Sequence, residues 1–320
     1  MRQPACRAAG DPGKRSRDLP PGIGGGNSPV TLPLRVTQGG LLVTDAVTVN
    51  GKPVGPMVID TGAGWTVLDR AAAKRLGVTN ARPWHAWADG EPPDGFYRIA
   101  SLDVVGGFGF REHVIAVADL SSISGAAGAG VIGGDVLGAM PFTIDYARGE
   151  LTIHPRASFK PPAGVRARRL RVQRPWTRGS FIDANPAAGQ PVVDGRIDGI
   201  PARVMLDTGC GVSLALRPWF VQKHPRLVDA AAPVVARVGG AAAPGGLAGA
   251  ELRRANVREV ELLGAQLQCV GTATALVAER PSPATGRHRS SAVLGYPFLM
   301  HGRLTFDYAS GRMWADWRRE

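Results

Sequence analysis

Short apolar runs, bounded by turn-forming residues, recur along most of the chain. Residues 41–49 are rich in Leu, Val and Thr, the pair Asn50-Gly51 follows, and a second apolar run occupies residues 54–59. Two such runs on either side of an Asn-Gly pair are typical of a β-hairpin. The same arrangement surrounds Asp198-Gly199. Further runs predict strands at residues 99–105, 112–118, 142–145, 151–154, 202–206, 257–263, 267–276, 304–307 and 313–317. The pattern therefore predicts a mostly β protein.

Two short helices are predicted between these strands. The first has Asp69 as its N-cap, residues 71–76 as its body and Gly77 as its stop signal. The second begins at Pro218, a favourable residue for a first helical turn, and ends before Pro225.

A long-range repeat organises the chain into two halves. Met57-Val58-Ile59-Asp60-Thr61-Gly62-Ala63-Gly64 is matched by Val204-Met205-Leu206-Asp207-Thr208-Gly209-Cys210-Gly211, which begins 147 residues later. Val131-Ile132-Gly133 is matched by Val293-Leu294-Gly295 at a spacing of 162, and Asp145-Tyr146 by Asp307-Tyr308 at the same spacing. Each half therefore runs in the same order, which predicts an internal duplication with an insertion of 15 residues at 239–250 or 280–290.

The two Asp-Thr-Gly loops are the strongest indication of chemistry. A carboxylate at the end of an apolar strand is disfavoured in its charged form, and the following Gly lets backbone N–H groups approach it. If a two-fold arrangement brings Asp60 and Asp207 together, two carboxyl groups about 3 Å apart share one proton. The ionised partner can then activate a water for attack on a carbonyl, while the protonated partner donates to the carbonyl oxygen. The alternative is that both are structural loop acids in a catalytically silent peptide-binding module.

With these motifs the sequence resembles the bacterial two-lobed, retropepsin-like aspartyl proteases, which are related in fold to retroviral and pepsin-type proteases. The resemblance covers roughly residues 31–320 and rests on the two Asp-Thr-Gly loops and the two apolar-apolar-Gly segments. It implies an all-β, bilobal acid-protease-like fold of two homologous β-barrel-like lobes, related by pseudo-two-fold symmetry and carrying short helices. It also implies an aspartic endopeptidase with a polypeptide substrate in a cleft between the lobes. One catalytic Asp from each half makes a monomer sufficient.

The residues around each Asp are assigned supporting roles. Thr61 and Thr208 are predicted to brace the loops, while Gly62 and Gly209 allow close backbone approach. Ala63 and Cys210 complete the two loops, and Cys210 departs from the small Ala, Ser or Thr usual in the family. Because neither of them offers a hydroxyl to the ionised pair, we expect a working pH nearer neutral than that of pepsin. For the substrate side, the middle of each half offers Trp84 and Trp87, and Gly239 and Gly240. Asp145 and Asp307 are interpreted as turn acids at strand ends.

The net charge of +12 is concentrated in two segments. Residues 156–178 carry eight basic side chains and no acid, and residues 1–18 add a net +3. The first suggests a basic interlobe linker, of which residues 165–172 could be a strand that bridges the lobes. The predicted domains are a disordered tail at 1–30, a first lobe at 31–155, the linker at 156–178 and a second lobe at 179–320. An Arg-rich nucleic-acid-binding protein is the remaining alternative, but no RNA-binding motif accompanies the basic segments, so no specific nucleic acid is expected.

Several other classes of protein are not supported by the sequence. Gly128-x-Gly130-x-x-Gly133 matches the dinucleotide fingerprint, but the repeat already accounts for its third glycine. The six His and three Cys show no metal-ligand spacing, so neither a metal nor a cofactor is expected, and a Cys210–Cys269 disulfide is left open. No apolar stretch of eighteen residues occurs, which predicts no membrane span. Charged residues interrupt the first thirty positions, so a cytoplasmic location is expected unless the true start lies upstream.

Overall fold

A computed structural model describes most of the chain. The described residues are 23–24, 27–37, 40–78, 81–82, 95–104, 107–120, 128–173, 189–228, 231–237, 251–269, 273–276 and 290–317. Within them the protein is mainly β-structure with four short α-helices, which confirms the predicted all-β class.

The strands divide between the two halves of the chain. Those before residue 156 are β1 (Ile23–Gly24), β2 (Val30–Pro33), β3 (Arg35–Val36), β4 (Leu42–Thr44), β5 (Val47–Val49), β6 (Lys52–Pro53), β7 (Met57–Ile59), β8 (Val67–Asp69), β9 (Ala81–Arg82), β10 (Gly95–Val104), β11 (Phe108–Ala118), β12 (Gly130–Ile132), β13 (Phe142–Asp145) and β14 (Glu150–Ile153). Those after it are β15 (Arg168–Gln173), β16 (Gln190–Ile197), β17 (Ile200–Asp207), β18 (Leu214–Leu216), β19 (Val234–Arg237), β20 (Glu251–Arg254), β21 (Glu259–Leu262), β22 (Ala265–Gln268), β23 (Ala273–Leu276), β24 (Ala292–Gly295), β25 (Gly302–Asp307) and β26 (Arg312–Trp317). The helices are α1 (Arg70–Leu76), α2 (Gly134–Leu137), α3 (Pro218–Lys223) and α4 (Tyr296–Leu299), and a 3₁₀ turn spans Pro225–Leu227.

The strands form two curled lobe sheets joined by a central sheet. In the first half the order is β3-β4-β7-β12-β8-β11-β10-β5-β6, with β1 on β11 and β9 on β10. In the second half it is β19-β20-β23-β18-β24-β17-β16, with β21 on β16 and β22 on β21. Strand β15 pairs with β16 and with β26, and so continues into the central order β15-β26-β25-β13-β14-β2. Each half therefore contributes one lobe sheet, and the bilobal β-architecture agrees with the prediction.

The two halves use the same strand arrangement. Strand β7 runs parallel to β12, and β17 runs parallel to β24, so each Asp-Thr-Gly follows a strand paired with an apolar-apolar-Gly segment. In the central sheet β13 and β25 are antiparallel, with Thr143 opposite Thr305 and their hydroxyl oxygens 2.9 Å apart. Because these threonines are also equivalent in the repeat, an approximate two-fold axis passes between them.

The local signals in the sequence correspond to the observed turns and caps. Asp69 accepts hydrogen bonds from the N–H groups of Ala71 and Ala72, and Gly77 ends helix α1 with φ of +74°. The hairpin turns at Asn50-Gly51 and Asp198-Gly199 have positive φ at both residues, which explains the residue types found there.

One buried apolar core extends through both halves and the central sheet. Its members include alternate residues of several strands, such as Met57 and Ile59 of β7, and Phe142 and Phe306 stack at the centre with ring centroids 4.8 Å apart. Because this core contains residues of both halves, the burial of its apolar side chains stabilises the packing of one half against the other.

Two predicted strands are wrong in extent. Residues 41–49 form two strands, β4 and β5, which are separated by Asp45-Ala46 and pair with different partners, β7 and β10. Residues 267–276 are also divided: β22 forms a hairpin with β21, whereas β23 lies between β18 and β20. Apolar content alone does not reveal such a change of partner.

Several residues of the predicted basic linker, 156–178, form ion pairs or belong to a paired strand. Arg156 forms an ion pair with Asp307 at 3.1 Å and also donates to the carbonyl of Ala139. Arg171 pairs with Asp194 at 2.8 Å. Strand β15 lies within residues 165–172 apart from its last residue, and it pairs with a strand on each side.

Candidate active site

The two Asp-Thr-Gly loops meet at the end of two buried strands. Asp60 directly follows β7, and its N–H donates to the carbonyl of Ile132 at 3.0 Å. Asp207 is the last residue of β17 and lies opposite Gly295 of β24. The parallel pairing with an apolar strand therefore sets the depth of each carboxyl group.

Reciprocal hydrogen bonds between the threonines lock the loops together. The N–H of Thr61 donates to the hydroxyl of Thr208, and the N–H of Thr208 donates to the hydroxyl of Thr61, each at 3.1 Å. The Thr61 hydroxyl then donates to the carbonyl of Leu206 at 2.8 Å, and the Thr208 hydroxyl to that of Ile59 at 2.6 Å. Both side chains are fully buried. These four hydrogen bonds tie each loop to the strand that precedes the other.

The carboxyl groups of Asp60 and Asp207 lie against each other across this brace. They are hydrogen-bonded side chain to side chain. Each also lies over the glycine of the opposite loop: a Cβ added to Gly62 would be 2.2 Å from Cγ of Asp207, and one added to Gly209 would be 2.5 Å from Cγ of Asp60. Only glycine leaves room for the two acids to meet, so the structure brings together the pair that the sequence singles out.

Backbone donors hold the two carboxyl groups unequally. Oδ1 of Asp60 accepts the N–H groups of Gly62 at 2.8 Å and Ala63 at 3.0 Å. Oδ1 of Asp207 accepts the N–H of Gly209 at 2.9 Å. Because such bonds stabilise a carboxylate, the negative charge is better supported on Asp60.

The electrostatics of the pair follow from burial and proximity. Burial and the neighbouring charge of Asp60 raise the pKa of Asp207 well above its usual range. Burial also raises the pKa of Asp60, but the hydrogen bonds from Asp207 and from the loop N–H groups oppose that rise. The pair, here called the dyad, therefore shares one proton, with the charge concentrated on Asp60.

Cys210 does not take part in the dyad. Its Sγ lies 3.7 Å from the carbonyl of Val212, and burial followed by the charge of Asp207 raises the pKa of the thiol to about 12. Cys210 and Cys269 are both free thiols, so the disulfide left open by the sequence is not formed.

The apolar-apolar-Gly segments lie directly behind the loops. A Cβ on Gly133 would be 2.3 Å from the carbonyl of Trp65, and one on Gly295 would be 2.0 Å from the carbonyl of Val212. The N–H of Gly134 donates to Ala63, and the equivalent N–H of Tyr296 donates to Cys210, both at 2.8 Å. These contacts explain the glycines of the repeat and leave the apparent dinucleotide fingerprint without a phosphate-binding role.

A small apolar cluster lies beside each carboxyl group. Val58 and Met205 precede their aspartates by two residues, and so project from the same strand faces. The first cluster contains Leu41, Val43, Val58, Ala118, Leu120 and Val131, with Ala63 and Val67 packed against it. The second contains Val192, Met205, Ala215 and Val293, with Cys210 and Val212 packed against it.

Sequence reasoning missed three side chains close to the loops. Gln190 crosses from the second half, and its Nε2 donates to the carbonyl of Gly62. Tyr308 is buried and Tyr146 is half-buried. Burial of each phenol is the largest cause that raises its pKa, and the carboxyls of Asp207 and Asp60 also raise those of Tyr146 and Tyr308, respectively. The Asp-Tyr repeat was the available signal for the tyrosines. Its aspartates are turn acids as predicted, since Asp145 accepts from the N–H groups of Ala147 and Arg148.

The substrate-side candidates Trp84, Trp87, Gly239 and Gly240 lie outside the described residues. Within the described part of the chain, no group of three or more His, Cys, Asp or Glu side chains is arranged to hold a metal ion. Nor does any helix in that part have the length and apolar character needed to cross a membrane.

Comparison with known proteins gives one family match and distant structural neighbours. Residues 46–136, which include the first Asp-Thr-Gly loop and the first apolar-apolar-Gly segment, match the family model described as aspartyl protease. Comparison with curated proteins gives no sequence match. Among solved structures, basic 7S globulin from soybean is 12% identical, with 91% of this chain and 95% of that chain covered and a TM-score of 0.46. EDGP is 11% identical, with 90% and 94% covered and a TM-score of 0.49.

Proposed function

We propose that this chain is an aspartic endopeptidase that hydrolyses peptide bonds with the dyad of Asp60 and Asp207. The observation that carries the proposal is the contact between two half-buried carboxyl groups, each contributed by a different half and braced by reciprocal threonine hydrogen bonds. Two acids held in contact are costly for stability because the charge of one disfavours the charge of the other, and such perturbed groups concentrate at catalytic sites.

The roles of general base and general acid follow from the unequal numbers of backbone N–H groups that bind the two carboxyl groups. Asp60 carries the charge and acts as the general base, so it takes a proton from a water whose oxygen attacks the carbonyl carbon of the peptide. Asp207 gives its proton to the carbonyl oxygen, which produces a neutral tetrahedral diol. When the diol collapses, Asp207 takes a proton from one hydroxyl, the C–N bond breaks, and Asp60 gives its proton to the leaving nitrogen. No bond forms between enzyme and substrate, and the dyad returns to its starting protonation state.

The surroundings of the dyad favour an extended polypeptide as substrate. Each Asp-Thr-Gly loop has its own apolar cluster, since Ala63 packs against the first and Cys210 against the second. Apolar side chains on both sides of the scissile bond would therefore be bound best, since their transfer from water is favourable. Because both aspartates come from one chain, a monomer is sufficient.

The test is cleavage of an unfolded polypeptide by the purified full chain between pH 3 and pH 8, with and without pepstatin. We expect pepstatin-sensitive cleavage, and mass spectrometry of products from a mixed peptide pool should show apolar residues flanking the cut sites. Asp194→Asn, in an exposed ion pair, serves as the matched control and should cleave normally. Binding of peptides without cleavage at any pH would favour the catalytically silent module instead.

A further inference from the structure

A buried polar network in the first half of the chain lies immediately behind the Asp60 loop. Oδ1 of Asp135, in helix α2, accepts the hydroxyl of Thr66 at 2.7 Å, and Oδ2 lies 3.1 Å from Nε2 of His113 on β11. Asp135 and Thr66 are fully buried and His113 is 9% exposed. Neither the repeat nor the dyad chemistry accounts for this network.

The network reaches the loop through one hydroxyl. Oγ1 of Thr66 donates to Asp135 and accepts the N–H of Gly133 at 3.2 Å. Gly133 in turn packs on the backbone of Trp65, and the next residue, Gly134, donates its N–H to the carbonyl of Ala63. Ala63 is one of the two residues whose N–H groups bind Asp60. A continuous set of contacts therefore links Asp135 to the donors that hold the Asp60 carboxylate.

Among the described residues of the second half, no equivalent network occupies the corresponding positions. The position of Thr66 is occupied by Ser213, whose backbone carbonyl, not its hydroxyl, accepts the N–H of Gly295 at 3.0 Å. The position of Asp135 is occupied by Pro297, which has no polar side chain. The network therefore supports only the Asp60 loop, and Asp60 is the acid that carries the charge in the proposed mechanism.

Two further contacts show that Asp135 is held in place. The N–H of Val136 donates to its Oδ1 at 3.0 Å, and the His113 ring packs against Phe110 with centroids 4.8 Å apart. A buried carboxylate with all its oxygens engaged is rigid, and it is costly to leave unpaired. A group of this kind fixes its neighbours within a narrow range of positions.

We propose that Asp135, fixed by His113, is a positioning residue for the Asp60 loop and acts through the Thr66 hydroxyl and the backbone of Gly133. The proposal rests on the proposed function, because positioning has a consequence for catalysis only if Asp60 is the general base. Without the Thr66 hydroxyl, the N–H of Gly133 is buried without its acceptor and the loop relaxes. The N–H groups of Gly62 and Ala63 then bind Asp60 less well.

The test compares Thr66→Val, which removes the hydroxyl at nearly constant shape, with Thr66→Ser, which keeps it. Thr305→Val is the matched control, because Thr305 is also a buried threonine with a hydrogen-bonded hydroxyl but lies in the central sheet. We expect Thr66→Val to lower kcat about tenfold or more with little change in KM, and Thr66→Ser to retain kcat within about threefold. Thr305→Val should lower the melting temperature and leave kcat unchanged.

A second readout separates this proposal from the proposed function. The carboxyl carbons of the aspartates are labelled with ¹³C, and the dyad signals are assigned by their loss in Asp60→Asn and Asp207→Asn. In Thr66→Val the lower pKa of the dyad should rise by about one unit, since weaker N–H donors stabilise the carboxylate less. This titration is informative even if the wild-type protein cleaves nothing, a result that would refute only the proposed function.

A parallel pair covers the case in which Thr66→Val does not fold. Asp135→Ala removes the acceptor, whereas Asp135→Asn keeps an oxygen for the Thr66 hydroxyl. Asp135→Ala should show the same loss of kcat and rise of the dyad pKa as Thr66→Val. Asp135→Asn should have a kcat and a dyad pKa close to those of the wild type. If the variants that remove the Thr66–Asp135 bond keep the wild-type kcat and the wild-type titration, Asp135 is only a structural residue and the proposal is wrong.

Discussion

At the scale of single residues, the site depends on two glycines whose missing side chains make room for the opposing acids. Gly62→Ala would place a Cβ 2.2 Å from Cγ of Asp207. We expect cleavage to fall at least about 100-fold, because the carboxyl group must move by more than the tolerance of the reaction geometry. Peptide hydrolysis rates at the optimal pH measure this effect.

The control for that substitution is Gly199→Ala in the hairpin turn between β16 and β17. Gly199 has a φ of +74° and nothing near its added Cβ, so the substitution strains the backbone without touching the dyad. It should lower stability and leave kcat unchanged. Equal losses of kcat in the two variants would contradict the account of Gly62.

The residue after the first Asp-Thr-Gly provides a test of pH dependence. Ala63 contributes a backbone N–H to Asp60 but no hydroxyl. Ala63→Ser adds a donor beside the carboxylate, which lowers the pKa of the ionised partner, so the acid limb of the pH–rate profile should move to lower pH.

Ala63→Cys is the matched control, since a thiol is a weak donor and Cys210 in the other loop points its sulfur at a backbone carbonyl. Its acid limb should stay near that of the wild type. An acid limb in Ala63→Ser that does not move would remove the explanation for a working pH nearer neutral.

At the scale of elements, the two loops are one unit because of the threonine brace. Thr61→Val leaves the N–H of Thr208 and the carbonyl of Leu206 buried without their partners. We expect a loss of about 2 kcal/mol in the free energy of unfolding together with a fall in kcat, since an unsatisfied buried group costs about 1–3 kcal/mol. Chemical denaturation and steady-state kinetics give the two values.

Thr61→Ser retains the hydroxyl, so its free energy of unfolding and its kcat should be close to those of the wild type. A Thr61→Val variant as stable as Thr61→Ser would show that the reciprocal bonds contribute nothing to the joining of the loops.

The elements also show what the sequence could and could not predict. Helix α1 was predictable with its caps because the signals at Asp69 and Gly77 are local. The division of residues 267–276 between β22 and β23 was not, because the partners of a strand are set by distant parts of the chain.

The same distinction applies to the site. Asp60 and Asp207 could be found because a repeated motif marks both positions. Gln190, Thr66 and Asp135 could not, because each acts through a contact with a residue 67 or more positions away and has no counterpart in the repeat. Side chains that meet only in the folded protein leave no local pattern.

At the scale of the whole molecule, the dyad makes stability depend on pH in a predictable direction. The folded state raises the pKa of Asp207 above its ordinary value of 3.8, so it binds this proton more tightly than the unfolded chain does. The contribution to stability is complete below pH 3.8 and is lost as the pH rises through the folded pKa.

Asp207→Asn removes this titration and keeps an oxygen for the N–H of Gly209. The variant should therefore be more stable than the wild type at pH 7 to 8, and the difference should disappear below about pH 4. Denaturant unfolding at a series of pH values measures it, with Asp194→Asn as an exposed control. A variant less stable than the wild type at neutral pH would contradict the assigned burial of the dyad.

The measurement that tests the shared-proton dyad most directly is the cleavage rate of Asp60→Asn and Asp207→Asn, each assayed alone and then mixed, from pH 3 to pH 8. If each carboxyl group has its own step, both variants lose cleavage by several orders of magnitude. Because both groups come from one chain, mixing the variants should restore nothing. Full activity in either single variant would contradict the dyad, and recovery on mixing would show that the working unit contains more than one chain.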